Sequence, residues 1–135
     1  MNNRERMRAS NKIAINWMLE NGFDNIWLKP HGRRTDTHYC KTGNYRALDL
    51  FGLFDGVAWC DGYTVYLQIK TNAWANSNSF MHFLGSTKPG CCLILSLNVK
   101  YKRHGPEVNN RVYYKTEKGV MQHSFIKSGF SGLTT

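Results

Sequence analysis

Acid is scarce in this chain, and several familiar signatures are missing. Nine Asp+Glu stand against 18 Lys+Arg, a formal net charge of +9. That excess suits a polyanionic partner, nucleic acid first, with a basic protein lacking such a partner as the plainer alternative. No apolar run approaches the roughly 20 residues of a membrane-spanning helix, so no membrane is expected. The opening MNNRERMRASNK is not followed by the apolar core of a signal peptide. Cys40, Cys60, Cys91 and Cys92 show no CxxC spacing, and Cys60 and the Cys91–Cys92 pair lie in apolar strand-like runs. Reduced cysteine behaves there as a small hydrophobe, and the chain reads as cytoplasmic. His31, His38 and Cys40 share a polar loop without a second set of paired zinc ligands, so they read as solvated. There is no internal repeat, linker or low-complexity block.

What is present fits one domain over residues 1–135, with 41% hydrophobic residues for a core. Met7, Ala14, Trp17 and Met18 recur at helical spacing and predict a helix over 5–21, stopped at Asn21-Gly22. FDNIWLK (23–29) predicts a strand closed by Pro30. Residues 30–48 are polar, basic and turn-rich, and read as a long loop. A short helix is expected over 76–84, then a buried strand CCLILSLNV (91–99), a basic loop 100–105, and strands at 112–114 and 121–126. The tail 127–135 reads as flexible. Helix, strand, hairpin, helix and strands in that order make a mixed α/β domain.

The informative stretch is FDGVAWCDGYTVYLQIKTN, residues 54–72. Asp61-Gly62 between apolar runs is a two-residue hairpin signal, because a type I′ turn needs positive φ at both central positions. Counting outward, Cys60 faces Tyr63, Ala58 faces Val65 and Asp55 faces Gln68. Lys70 shares the face of Gln68. Both faces are otherwise largely apolar, as in a central strand covered on both sides. Three polar groups therefore converge at one end of a buried hairpin, where an Asp and a Lys need each other or a ligand. An Asp55–Lys70 ion pair bridged by Gln68 and an active site are equally compatible with this pattern.

Asp55 followed by Gln68-Ile69-Lys70 on the next strand resembles the core of the PD-(D/E)xK nuclease superfamily. Its QxK form is similar to that of Mrr-type restriction nucleases, and the size and element order are similar to small phage and archaeal Holliday-junction resolvases. The resemblance covers roughly residues 5–99, with specific identity confined to about twenty. It implies a restriction-endonuclease-like αβββαβ core, a mixed central sheet flanked by helices, and Mg²⁺- or Mn²⁺-dependent DNA cleavage. It also implies metal ligands at Asp55, the Gln68 side-chain carbonyl and the Ile69 backbone carbonyl, with Lys70 orienting water or stabilising developing charge. Resolution of a junction needs two active sites and implies a homodimer.

Two departures matter. Phe54 stands where the family name has Pro, and Gln68 replaces a carboxylate. A further acid could come from the first helix, where Glu5 and Glu20 are the candidates; each also reads as a helix-surface charge. Asp49 could be folded back toward the site by a bend at Gly52, or could cap a turn. Arg33, Arg34, Lys41, Lys100, Lys102 and Arg103 are the candidates for contact with the DNA backbone. Trp74 reads as a stacking or, more simply, a packing residue. A non-catalytic nucleic-acid-binding protein on a degenerate nuclease fold is the alternative function, and the neutral Gln68 is its support.

Overall fold

Helix α1 (Asn3–Glu20) begins where Asn2 can cap it. The Asn2 side chain accepts the Glu5 N–H at 2.8 Å, and the Asn2 N–H donates to the Glu5 carboxylate at 3.3 Å. Ser10, Ala14 and Met18 lie four apart and form its buried stripe. The helix ends at Asn21, Gly22 takes φ +92°, and Phe23 turns into the core. The computed structural model describes residues 2–29 and 36–124.

After α1 come β1 (Asn25–Leu28), β2 (Asp36–Cys40), β3 (Gly43–Ala47), β4 (Gly56–Cys60) and β5 (Tyr63–Thr71). Helix α2 (Ser77–Gly85), β6 (Leu93–Lys102), β7 (Gly105–Thr116) and β8 (Gly119–His123) follow. Six strands form a mixed sheet in the order β1-β4-β5-β6-β7-β8, while β2 and β3 pair by themselves. The β5–β6 pair is parallel, which requires a crossover, and α2 supplies it; the other pairs are antiparallel. The chain is thus a single α/β domain, and no helix among the described residues is long and apolar enough to cross a membrane.

The central hairpin has the register its turn predicts, from Cys60↔Tyr63 to Gly56↔Leu67, with Asp61 and Gly62 at φ +52° and +81°. One face (Ala58, Cys60, Val65, Leu67, Ile69) packs with Ala14 and Met18 of α1. On the other, Tyr66, Ile94 and Tyr113 meet Phe80 and Leu84 of α2. A Cβ at Gly56 would lie 2.1 Å from the Trp27 carbonyl oxygen. Only glycine lets β1 approach the start of β4 this closely, and that contact delivers Lys29 to the site described below.

Three expectations change. Within 30–48, residues 36–40 and 43–47 are paired strands and not loop, closing at Cys40↔Gly43 with Gly43 at φ +130°. The sequence of this polar ribbon lacks the apolar alternation by which strands are recognised. The basic segment 100–105 is likewise ribbon: β6 and β7 stay paired to Lys102↔Gly105, leaving Arg103 and His104 as the turn. Third, β8 ends at His123. Residues 30–35, with His31, Arg33 and Arg34, lie outside the described residues, as do the side chains of His38 and Cys40 and the tail 127–135.

Candidate active site

The hairpin's open end, β1 and α1 enclose a cavity of about 400 Å³ lined by Lys29, Asp49, Asp55, Gln68, Ile69 and Lys70, with Arg6, Ser10 and Asn11 from α1. Asp55 is placed by its neighbour Phe54, which is fully buried and stacks on Tyr66 at 5.0 Å and Phe80 at 5.9 Å between ring centroids. The position where the resembled family carries Pro is thus an aromatic anchor. Regular pairing with β5 ends at Gly56. Beyond it the Asp55 N–H donates to the Leu67 carbonyl at 2.7 Å, and the Ile69 N–H donates to Asp55 Oδ2 at 2.7 Å. The Asp55 carboxylate therefore caps the β5 backbone and does not simply oppose Gln68 as the turn count suggested.

Asp49 is folded back by a tight turn. The Gly52 N–H donates to the Asp49 carbonyl at 2.9 Å, the Phe54 N–H donates to the Leu50 carbonyl at 3.0 Å, and Phe51 and Gly52 take φ +55° and +71°. The bend expected at Gly52 exists, and it brings Asp49 into the cavity with Asp55.

The cation that meets these acids is Lys29. Its ammonium pairs with Asp49 and lies 3.7 Å from Asp55 Oδ1, and its backbone N–H donates to the Asp55 carbonyl at 2.8 Å. The Asp55–Lys70 pair considered from the sequence is not formed: Lys70 is exposed at the cavity rim and no described carboxylate pairs with it. Burial of Asp55, whose side chain is 16% exposed, raises its pKa above the ordinary 3.8. The Ile69 N–H and the charges of Lys29 and Lys70 act against that rise, while Asp49 adds to it.

Gln68 is buried on the β5 wall, and its Oε1 has no hydrogen-bond partner among the described residues. A buried, unpartnered carbonyl is costly and rare. Gln68 shares the cavity lining with two carboxylates, and a buried oxygen left without a partner on such a residue speaks for a bound group here. The divalent cation implied by the resemblance fits this donor set, since Mg²⁺ takes hard oxygens and often uses one or two carboxylates, waters and substrate phosphate. Among the described residues no group of three or more His, Cys, Asp or Glu side chains is placed to hold a metal.

The first helix does not complete the acid set. Glu5 is engaged in the N-terminal cap. Glu20 is exposed at the other end, ten residues beyond Ser10 and so about 15 Å along the axis. What α1 offers the cavity is Arg6, Asn11 and Ser10, the last hydrogen-bonded to Thr71 Oγ1 at 2.6 Å. Sequence reading missed Lys29. The signal was available: a lysine ending β1 must meet the start of β4 if those strands pair antiparallel.

The candidate DNA contacts scatter. Lys41 and Arg103 are exposed on the turns of the two ribbons, Lys102 pairs with Glu107, and Lys100 lines a second basin beside β6. Trp74 packs against Arg111, whose guanidinium carbon lies 3.9 Å from the ring centroid. Comparison with protein-family models, with characterised proteins and with solved structures finds no match.

Proposed function

We propose that the chain is a metal-dependent DNA endonuclease of restriction-endonuclease-like architecture, with branched DNA such as a Holliday junction as its candidate substrate and a homodimer as the acting form. The observation that carries this reading is that Asp49, Asp55 and Gln68 line one cavity flanked by cations, with the buried Gln68 Oε1 left without a partner among the described residues. The element order supports it: a helix, a strand, an antiparallel hairpin, a helix and a strand parallel to the hairpin's second arm.

Asp55, Asp49, Gln68 Oε1 and the Ile69 carbonyl are the oxygens that would hold Mg²⁺ or Mn²⁺. When bound, the metal lowers the pKa of a water and neutralises phosphate charge. The chain's own residues set the geometry. The Ile69 N–H fixes Asp55 Oδ2, while Oδ1 faces the Lys29 ammonium at 3.7 Å. Lys29 neutralises the paired carboxylates. Lys70, at the rim, orients the attacking water or donates to the phosphate oxygen as negative charge develops. Arg6 lies across the cavity, where it can hold the scissile phosphate. Hydrolysis adds water across a P–O bond, leaving a phosphomonoester and a hydroxyl.

A cleavage assay at millimolar Mg²⁺, comparing four-way junctions with linear duplex, tests the reading. Asp55→Asn and Lys70→Ala are expected to abolish cleavage while DNA binding persists. Full cleavage by the double variant overturns it. A non-catalytic DNA-binding protein is favoured instead by one observation, that Lys29 already serves as counter-ion to both acids. In that case Mg²⁺ and Mn²⁺ leave the melting temperature unchanged.

A further inference from the structure

We propose that Arg111, braced by Trp74, anchors a second anion site that takes a backbone phosphate of a nucleic-acid strand, separate from the Asp55 cavity. The site is an open basin of about 660 Å³ at the far side of β6, lined by Trp74, Asn98, Lys100, Asn109, Arg111 and His123 among others, with no carboxylate among the described lining residues. Arg111 forms no ion pair with any described acid. The guanidinium carbon lies over the Trp74 ring, 3.9 Å from its centroid, which braces the group, and no carboxylate among the described residues competes for its N–H donors. A pre-oriented fork of that kind matches phosphate and loses little entropy on binding.

The register ties this basin to the first site. Gln68 pairs with Ser96 and Ser96 with Arg111, so the three lie in one row on one sheet face. Lys70, Asn98 and Asn109 make the next row. Helix α2 covers the part of this face around Tyr66, Ile94 and Tyr113. The polar rows continue past it, and Ser96 Oγ is buried between Gln68 and Arg111 without a partner among the described residues. Two strand spacings separate Gln68 from Arg111, about 10 Å. At 3.4 Å per nucleotide along one strand, that is about three nucleotides. A strand entering the Asp55 cavity can therefore lay a phosphate about three nucleotides away on Arg111, with Lys100 on the same sheet face.

Assigning the anion to nucleic acid rests on the nuclease reading; the anion site itself does not. The test is fluorescence anisotropy with a labelled DNA duplex in EDTA, so that cleavage and metal play no part, across a series of salt concentrations. Arg111→Gln is expected to weaken binding about 3- to 10-fold and to lower the log K against log salt slope by about one. Lys12→Gln, which removes an exposed charge on α1, is expected to change affinity less than twofold. Arg111→Lys keeps the charge but loses the stacked fork, and is expected to weaken binding about threefold; it carries the test if Arg111→Gln melts early. Wild-type affinity and slope in these Arg111 variants overturn the proposal, as does an equal loss in Lys12→Gln. Failure of the wild type to bind DNA at low salt also overturns it. An Arg111 effect in a protein that never cleaves sinks the nuclease reading alone.

Discussion

Lys29 holds Asp55 in two ways: its backbone N–H donates to the Asp55 carbonyl at 2.8 Å, and its ammonium lies 3.7 Å from Oδ1. The same ammonium pairs with Asp49. Two acids that would repel each other across a partly buried cavity are thereby kept together without a metal. The lysine and a divalent cation then compete for the same charge.

Replacing Lys29 exposes that competition. Lys29→Met leaves two half-buried acids uncompensated, and the partial exposure of all three groups limits the cost to about 1–2 kcal/mol. The melting temperature at pH 7 is expected to fall by about 3–6 °C. Millimolar Mg²⁺ is expected to restore it, with a larger shift than in the wild type, because a ligand of the folded state stabilises by mass action. An equal or smaller Mg²⁺ shift in the variant shows that Lys29 does not share the metal's ligands.

Asp55 has a raised folded pKa because burial penalises its charged form. The folded state holds the proton more tightly, so this contribution to stability is fully present below the ordinary 3.8 and is lost as pH rises through the folded pKa. Asp55→Asn, which can still accept the Ile69 N–H, is expected to melt about 2–4 °C above the wild type at pH 7 while losing cleavage. The gap closes as pH is lowered toward 3.8. Thermal melts of both proteins across that range check it.

Gln68 is the position where the metal reading is most exposed to test. Gln68→Leu removes the unpartnered oxygen and is expected to stabilise the metal-free protein by about 1 kcal/mol, while abolishing any Mg²⁺-induced thermal shift. Gln68→Glu adds a third acid and is expected to do the reverse, lowering metal-free stability and enlarging the shift. A shift that survives Gln68→Leu unchanged removes Gln68 from the metal site.

The thiols divide by environment. Burial pushes Cys60 up to about 11 and Cys92 to about 12, whereas Cys91 is exposed. Only thiolate reacts, so at pH 8 fewer than about one in a hundred of either buried thiol is reactive. Iodoacetamide labelling of the native protein, mapped by peptide mass, is expected to mark Cys91 well before Cys60 and Cys92, with the difference lost in denaturant.

The parts that could be read from residues alone were those governed by local physics. Asp61-Gly62 set the hairpin register because its backbone demands positive φ. The spacing of Ala14 and Met18 marked the buried stripe of α1. The polar ribbons at 36–47 and 100–108 stayed hidden, since their sequences carry no hydrophobic alternation to show. Glu5 could not be excluded as a site acid from composition alone. Its role followed from Asn2 lying three residues before it, at the start of the helix.

By itself, then, the sequence determined the hairpin, the convergence of Asp55, Gln68 and Lys70 toward one end of it, and the basic character of the surface. Those follow from turn chemistry, strand parity and charge, all of which act over a few residues. Tertiary structure decided which cation meets Asp55. Lys29 lies 26 positions away in the chain, and only the antiparallel pairing of β1 with β4, permitted by the missing side chain of Gly56, brings it there. The same holds for Arg111 and Trp74, whose contact depends on three strands and a loop packing in one register. Pairings of this range are set by burial of the whole sheet against its two helices, which no short window of sequence contains.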